Sequence, residues 1–357
     1  MATGSRSLAG RLLLSLLASA ILLALAEAVA RFSESRAVPL RFVQADRILK
    51  THLEDDLLRT DADLFWRLAP SVRRPLGPGP FPGLVSNRQG VREEREIPAG
   101  KGAREVRLLF LGDSSCFGVF LENRETFVDQ AERLLAARQP DLKIECINAG
   151  VPGYTIFQGL RFLATRGAEF RPDLVVLYFG WNEPASWDGL GDAEHWAAMQ
   201  SALPPPLLRG SRLARWAWAR FARGPPPTGA KARPRVQVDE YVALLAAVEE
   251  SARDQGADLL LLVGASADSV RRQTLTEYQR ETVAYARRAT GARRPGCIGY
   301  VDCVAVVAAL AEEAPRTPLF VDAVHPTARS DEAIGRAIAD QVGPWLAGRS
   351  RSAGERK

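Results

Sequence analysis

Short runs of apolar residues alternate along the chain with longer segments of helical periodicity. Continuous apolar runs predict five buried strands, at 106–112, 142–150, 173–183, 258–266 and 298–303. Apolar residues recur with helical spacing at 126–137, 156–166, 239–257, 274–289 and about 330–346. This alternation predicts a parallel five-stranded sheet covered by helices on both faces, a three-layer α/β/α sandwich.

Residues with side chains or backbone suited to catalysis follow these predicted strands. Ser114 follows the first strand, Gly153 follows the second, and Asn182 ends the third; Asp322 and His325 lie in the loop before the last helix. In open parallel sheets, functional groups gather at the carboxyl ends of the strands. We therefore expect these five residues to meet at one edge of the sheet.

Ser114, His325 and Asp322 are the residue types of a nucleophile, a base and a group that orients the base. Asp322 can accept a hydrogen bond from one ring nitrogen of His325, which leaves the other nitrogen to take a proton from a hydroxyl. Taken singly, Ser114 also fits a helix N-cap, and His325 also fits an ordinary surface histidine.

A reaction that develops negative charge on a carbonyl oxygen needs hydrogen-bond donors aimed at that oxygen. The candidates are the backbone N–H groups of Ser114 and Gly153 and the side-chain amide of Asn182. Gly153 and Asn182 also fit as turn residues. Asp113 is expected to tie its turn to the backbone as a structural carboxylate. Ser114 is preferred to Cys116 as the nucleophile, because a residue two positions on would point elsewhere on the turn.

The N-terminus carries an export signal. Leu12–Ala26 contains no charge and follows Arg6 and Arg11. A helix of that length spans about 22 Å, and an extension to Ala30 reaches about 28 Å, close to the ~30 Å hydrocarbon core. A retained signal-anchor with its basic end inside and a signal peptide cleaved after Ala30 both stay open. In either case the remainder works outside the cytoplasm, anchored at the inner membrane and facing the periplasm, or secreted.

Composition divides the rest of the chain. Residues 1–32 are predicted to form the signal-anchor or signal peptide, and residues 33–104 an irregular approach segment rich in Arg, Pro and Gly. Residues 105–347 are predicted to form the sheet domain, and residues 348–357 a disordered tail. One short helix is expected around 42–58. An insertion at 187–235 interrupts the alternation. Its central part, SRLARWAWARFAR, fits either a cap over the domain or a helix at a membrane interface.

Charge and cysteine content limit which binding partners and disulfide bonds the sequence supports. The formal net charge of the 357 residues is +5. Many of the basic residues lie in the N-terminal segment, in 209–235 and in the tail, which fits solvated loops or contact with anionic lipid or glycan. No basic motif interleaved with aromatic residues indicates nucleic-acid binding. Cys297 and Cys303 could pair only if the chain turns between them, because a straight strand separates their Cα atoms by about 20 Å. No metal or cofactor motif is present, and nothing indicates an oligomeric state.

Four sequence blocks, in order, resemble those of the SGNH (GDSL-type) hydrolase superfamily. They are GDSS at 112–115, NAGVPGYT at 148–155, GWNE at 180–183 and DAVH at 322–325. The resemblance covers about 105–345 and implies a flavodoxin-like sandwich that cleaves acyl esters through an acyl-enzyme. It implies Ser114 as nucleophile, His325 as base oriented by Asp322, and an oxyanion hole from Ser114, Gly153 and Asn182. The third block usually reads G-x-N-D, so Glu183 departs from the pattern.

The approach segment resembles that of membrane-anchored bacterial members at 65–70 and 86–92. That resemblance implies acetylated glycans as substrates. The leading hypothesis is therefore an exported serine esterase acting on acyl esters, O-acetyl esters above all, without a cofactor. Transfer of the acyl group to an envelope polysaccharide, and glycan binding without catalysis, are the alternatives.

Overall fold

The computed structural model describes residues 8–32, 56–186, 189–201, 204–208, 210–221, 233–291, 296–313 and 315–354. The strands are β1 (Leu58–Asp61), β2 (Phe65–Leu68), β3 (Glu105–Gly112), β4 (Lys143–Asn148), β5 (Leu174–Phe179), β6 (Asp258–Val263) and β7 (Cys297–Asp302). The helices are α1 (Leu8–Phe32), α2 (Ser114–Phe117), α3 (Phe127–Arg138), α4 (Ile156–Phe162), α5 (Asp192–Ser201), α6 (Arg212–Phe221), α7 (Val238–Asp254), α8 (Ala267–Arg272), α9 (Glu277–Gly291), α10 (Cys303–Glu313) and α11 (Ala328–Gly354). Helix α4 continues through a π-helical turn at Leu163–Gly167 and a further helical turn at Ala168–Phe170.

The central sheet has the order β4-β3-β5-β6-β7, and every neighbouring pair is parallel. Counted along the chain, the five strands stand in the order 2-1-3-4-5, which is the flavodoxin-like arrangement. The predicted α/β/α sandwich is therefore confirmed. Strand β3 lies between β4 and β5, so the loops that follow these three strands are neighbours at the carboxyl edge.

Each face of the sheet has its own apolar core because successive strand residues point to opposite sides. Leu109 and Val175 belong to the core that contains α4 and α7, whereas Leu108 and Val176 belong to the core that contains α3 and α11. Every residue of β5 is buried. The continuous apolar runs in the sequence thus reflect strands that are covered on both faces.

The approach segment contains a hairpin where the sequence predicted irregular structure. Strands β1 and β2 pair antiparallel, and Leu64, Trp66 and Leu68 are buried in the core shared with α4. Neither LRTD of β1 nor FWRL of β2 alternates apolar and polar residues, so no period of two marks these strands in the sequence. Most of the helix expected around 42–58 falls outside the described residues.

Element boundaries differ from the predictions at two places that matter. Strand β5 ends at Phe179, so Asn182 lies in the turn that follows rather than at the strand end; Gly180, with φ +123°, begins that turn. Helix α11 runs to Gly354, through most of the tail that was expected to be disordered. Alanine and arginine favour helix, and no proline after Pro344 stops it.

The cysteines are buried thiols rather than disulfides. Strand β7 begins at Cys297, and Cys303 begins the next helix, so a straight strand separates the pair. Helix α1 is, by length and composition, able to cross a membrane over Gly10–Arg31, and its apolar side chains are exposed. Such a helix is compatible with an anchor and equally with a signal sequence.

Gly150 generates a first prediction about stability. A Cβ atom at Gly150 would lie 2.5 Å from the backbone nitrogen of Phe117 in α2. We expect Gly150→Ala to lower the free energy of unfolding by roughly 1–3 kcal/mol in urea titrations, since backbone must shift to admit the methyl group. Gly343→Ala is the control: it lies in α11 with open space around it, so it should not lower stability. Equal effects of the two substitutions would contradict the argument.

Candidate active site

Ser114 stands at the carboxyl end of β3, on the first turn of the short helix α2. The carboxylate of Asp113 caps this helix by accepting a hydrogen bond of 2.9 Å from the Ser115 N–H. Gly118, with φ +87°, ends the helix in the left-handed conformation. The tight turn leaves Ser114 partly exposed, while its neighbours Asp113 and Ser115 are buried.

His325 bridges Ser114 and Asp322. Its Nε2 lies 2.8 Å from Ser114 Oγ, and its Nδ1 lies 2.7 Å from Asp322 Oδ2. The other carboxylate oxygen of Asp322 accepts the backbone N–H groups of Val324 and His325, both at 2.9 Å. The structure therefore brings together the three side chains that the sequence singled out, in one hydrogen-bonded series.

The loop that carries this histidine is held at both ends. Phe320 and Pro326 form an antiparallel bridge, and Val321 N–H donates to His325 O at 2.9 Å. The hydroxyl of Ser115, beside the candidate nucleophile, donates to Val324 O at 3.2 Å. The position of the imidazole relative to α2 is thus fixed by backbone bonds as well as by its own ring.

The protonation state of Asp322 determines which ring nitrogen of His325 carries the proton. Partial burial acts to raise its pKa, but the hydrogen bonds from Val324 N–H and from the ring and N–H of His325 outweigh burial and lower the pKa overall. An ionised carboxylate can only accept, so Nδ1 of His325 carries the proton toward Asp322. Nε2 is then left to accept a proton from the Ser114 hydroxyl.

The turn that carries Asn182 bonds to the loop that carries Gly153, beside this serine. The Asn182 amide donates to Tyr154 O at 2.9 Å, next to Gly153, which has φ +79°. Val151 N–H donates to Gly112 O at 3.0 Å, which ties the loop to the end of β3. All five residues predicted to meet at the carboxyl edge of the sheet therefore lie in adjoining loops there.

Glu183, which departs from the sequence pattern, is buried and bridges two elements. Its carboxylate accepts Gly180 N–H at 2.9 Å and Ile156 N–H at 2.8 Å, so it joins the turn after β5 to the N-terminus of α4. Burial raises its pKa to about 7, although the Ile156 N–H bond opposes that shift. The longer side chain thus still finds backbone donors, and the positive charge of Arg235 also acts to lower its pKa.

Asp113 is also a buried carboxyl. Burial raises its pKa to about 8, against the Ser115 N–H bond, and the charge of Glu183 raises it further. Its expected role as a structural carboxylate at the turn agrees with the bond to Ser115. At neutral pH Asp322 is therefore ionised, Asp113 largely holds its proton, and Glu183, with a pKa of about 7, lies between these two states.

Two arginines that sequence reasoning did not single out hold the two loops. Arg92, from the second approach-segment motif, donates from Nη1 to Phe117 O at 2.6 Å and to Gly118 O at 2.7 Å, at the C-terminus of α2. Arg235, at the end of the insertion, donates from Nη1 to Gly153 O at 2.6 Å. Both side chains are buried.

A buried ion pair positions Arg235. Its Nε and Nη2 lie 3.0 and 3.1 Å from the two carboxylate oxygens of Asp192. Asp192 also accepts the Thr155 hydroxyl at 2.6 Å, and Gln158 accepts Arg235 Nη2 at 2.8 Å. The start and end of the insertion thus close on the Gly153 loop together. No signal in a single sequence links an aspartate and an arginine so far apart.

Aromatic residues complete the surroundings. The ring of Phe120 meets the His325 imidazole edge to face, with centroids 5.6 Å apart, and Phe120 has a positive φ of 71°. From the hairpin, Trp66 Nε1 donates to Pro152 O at 3.0 Å, and the Tyr154 hydroxyl donates to the backbone carbonyl oxygen of Trp66 at 2.7 Å. Among the described residues, no group of three or more His, Cys, Asp or Glu is placed to hold a metal ion.

The raised pKa of Asp113 predicts a pH dependence of stability. An unfolded chain ionises Asp113 near pH 4, whereas the folded protein keeps the proton to about pH 8. The folded state binds more protons across that window, so this residue's contribution to stability falls as pH rises through it.

Asp113→Asn removes this titration while keeping an oxygen that can accept the Ser115 N–H. We expect the unfolding free energy of the variant, measured in urea at intervals from pH 5 to 8, to fall less steeply with pH than that of the wild type. Parallel curves for the two proteins would show that Asp113 is ionised in the folded state.

Comparison with known proteins identifies the family of this chain. The model of the GDSL-like lipase/acylhydrolase family matches residues 110–333, well over half of the chain. No curated protein sequence matches. Among solved structures, a variant of an acetyl xylan esterase from Geobacillus stearothermophilus is 19% identical, with 68% of this chain and 96% of that chain covered and a TM-score of 0.44.

An alpha/beta hydrolase enzyme from the metagenome of Lake Arreo, Spain, is 18% identical, with 69% of this chain and 97% of that one covered and a TM-score of 0.45. The family match includes the turn of Ser114 and the loop of Asp322 and His325. This chain belongs to the GDSL-like lipase/acylhydrolase family and is an ester hydrolase.

Proposed function

We propose that this protein is an exported, membrane-anchored serine esterase that removes acyl groups, O-acetyl groups above all, through an acyl-enzyme on Ser114. The observation that carries the proposal is the hydrogen-bonded series from Ser114 Oγ to His325 at 2.8 Å and from His325 to Asp322 at 2.7 Å. Nucleophile, base and orienting carboxylate stand in contact and in the order that acyl transfer to a hydroxyl requires.

In the first step, Ser114 Oγ attacks the ester carbonyl carbon, and its proton passes to His325 Nε2. The carbonyl π pair moves to oxygen and leaves a tetrahedral oxyanion. The imidazolium that forms is stabilised by ionised Asp322. When the oxyanion collapses, the bond to the alcohol oxygen breaks, and that oxygen takes the proton from His325.

The developing oxyanion needs donors, and we assign them to Ser114 N–H, Gly153 N–H and the Asn182 amide. Asn182 already bonds Tyr154 O, which holds the amide beside the Gly153 loop. The amide carries two donor hydrogens, so one stays available for substrate oxygen.

Hydrolysis of the acyl-enzyme repeats these steps with water. His325 takes a proton from water as the water oxygen attacks the acyl carbon. It then returns the proton to Ser114 Oγ as the acid leaves. If a sugar hydroxyl reached the acyl-enzyme instead of water, the same atoms would perform transfer.

The substrate and location rest on sequence features. The apolar helix α1 supports attachment to a membrane, and the approach segment resembles that of membrane-anchored bacterial members. We infer from these features that the substrate is an acetylated glycan outside the cytoplasm.

A direct test uses the full-length protein in detergent with p-nitrophenyl acetate and butyrate, together with a fluorophosphonate that labels reactive serines. We expect faster turnover of acetate than butyrate, and labelling that disappears in Ser114→Ala. His325→Ala should lower kcat by about 10³-fold or more, with a change in melting temperature of only a few degrees, because its bonds serve catalysis rather than the core.

Ser201→Ala, an exposed serine at the end of α5, is the control for labelling. Labelling that survives in Ser114→Ala, or turnover that survives in His325→Ala, would contradict the assignment. Labelling of Ser114 without turnover until an acceptor glycan is added would replace hydrolysis by transfer.

Arg235 provides a test of the assignment of Gly153. The guanidinium of Arg235 fixes the Gly153 carbonyl, so Arg235→Gln should displace the proposed oxyanion donors. Because those donors bind the substrate oxygen mainly in the transition state, we expect kcat for p-nitrophenyl acetate to fall at least 10-fold with little change in KM. Arg235→Lys should recover part of the loss.

Arg233→Gln is the matched control. Arg233 lies two residues away and pairs with Glu194 and Glu240 at the protein surface rather than with the Gly153 loop. It should retain wild-type kcat. A rise in KM alone for Arg235→Gln would mean that this arginine serves substrate binding and not the oxyanion donors.

A further inference from the structure

Glu27, near the end of the apolar helix α1, caps the first turn of α6 in the insertion. Its carboxylate accepts the Ser211 hydroxyl at 2.7 Å and the backbone N–H groups of Arg212 and Leu213, both at 3.0 Å. A carboxylate in this position stabilises a helix N-terminus by satisfying donors that have no partner within the helix. The bonds join residues more than 180 positions apart in sequence.

Arg31 closes the same contact from the other side. It pairs with Glu27 at 2.8 Å, and its backbone carbonyl accepts Arg212 Nη1 at 3.0 Å. Its Nη2 also reaches Gly210 O at 3.4 Å. We call Glu27, Arg31, Ser211, Arg212 and Leu213 the anchor joint.

The depth of the anchor joint follows from the apolar run of α1. Leu12–Ala26 is without charge, its leucine side chains are exposed, and Glu27 follows directly. The joint therefore lies where the hydrocarbon of a membrane crossed by α1 would end. A carboxylate at that level is costly unless hydrogen bonds satisfy it, and the joint supplies them from α6.

Helix α6 has the composition of an interfacial helix. Leu213 and Ala217 share one side at a spacing of four, and Ala214 and Trp218 lie next to them at the same spacing. Trp218 is 39% exposed. Three of the ten residues of α6 are arginine and two are tryptophan, the residue types that favour the boundary between lipid and water.

We propose that α6 lies on the outer surface of the membrane that α1 crosses, bound to anionic headgroups, with α1 retained as an anchor. This inference rests on the export and membrane attachment in the proposed function, and it is independent of the residues assigned to acyl transfer. Cleavage after Ala30 would remove Glu27 and break the anchor joint. The joint thus favours the retained anchor over the cleaved signal peptide.

The test places the full-length protein in nanodiscs of phosphatidylglycerol and phosphatidylcholine that contain lipids with a spin label on the acyl chain. A fluorophore is attached at Ala217→Cys in α6 or, as control, at Ala309→Cys, an exposed position in α10. The four native cysteines are buried, and the labelled wild type measures any background from them. We expect several-fold stronger quenching at position 217 than at 309, and weaker quenching at 217 in discs of phosphatidylcholine alone.

Glu27→Ala removes the cap, so quenching at position 217 should fall toward the level at 309. Glu312→Ala, an exposed carboxylate in α10, should leave it unchanged. Equal quenching at 217 and 309 in the otherwise wild-type protein would overturn the docking of α6, and equal quenching in neutral and anionic discs would overturn the role of anionic headgroups.

Intact mass of the protein extracted from membranes of an exporting bacterial host tests the anchor itself. Retention of residues 1–30 is expected, and a chain that begins at Arg31 would overturn the retained anchor. Ester turnover measured on the same nanodiscs separates the two proposals. Lost turnover with strong quenching at position 217 would count against the serine esterase and leave the membrane surface of α6 standing.

Discussion

The arrangement of the site depends on how the backbone carbonyls of two neighbouring loops are satisfied. A buried carbonyl without a donor costs free energy, and loops at a sheet edge lack the ladder that would supply one. Arg92 meets this need at the C-terminus of α2, and Arg235 meets it at Gly153. A guanidinium suits the task because its five N–H groups hold several acceptors in fixed directions. The serine turn and the Gly153 loop are thus each held by a cation from outside the central sheet.

The sequence predicted the sheet and the meeting of Ser114 with His325 because both follow from local signals. Continuous apolar runs predict parallel strands, and parallel strands bring their carboxyl ends to one edge. Arg235 and Phe120 could not be found in that way. One depends on an ion pair with Asp192 across the insertion, and the other on a positive φ that no local preference of phenylalanine indicates. Both act through tertiary contacts that a single sequence does not record.

The carboxyl groups of this edge are held in different charge states by their surroundings. Asp322 is ionised because two backbone N–H groups and an imidazole outweigh its partial burial. Asp113 and Glu183 have raised pKa values because each is fully buried, although backbone N–H groups oppose the shift at both residues and the charge of Arg235 opposes it at Glu183. A second negative charge beside the donors would oppose the formation of an oxyanion. Keeping Asp113 protonated at neutral pH thus favours the proposed chemistry.

The insertion contacts both the candidate site and the apolar helix α1. Its start and its end close on the Gly153 loop through Asp192 and Arg235, and its helix α6 bonds to the end of α1 through Glu27. If α6 rests on the membrane surface, the same segment that holds the Gly153 loop also sets how the candidate site is presented to that surface. The acetylated chains within reach would then be selected by the insertion and the anchor, while the sheet and its loops provide a reaction shared across the family.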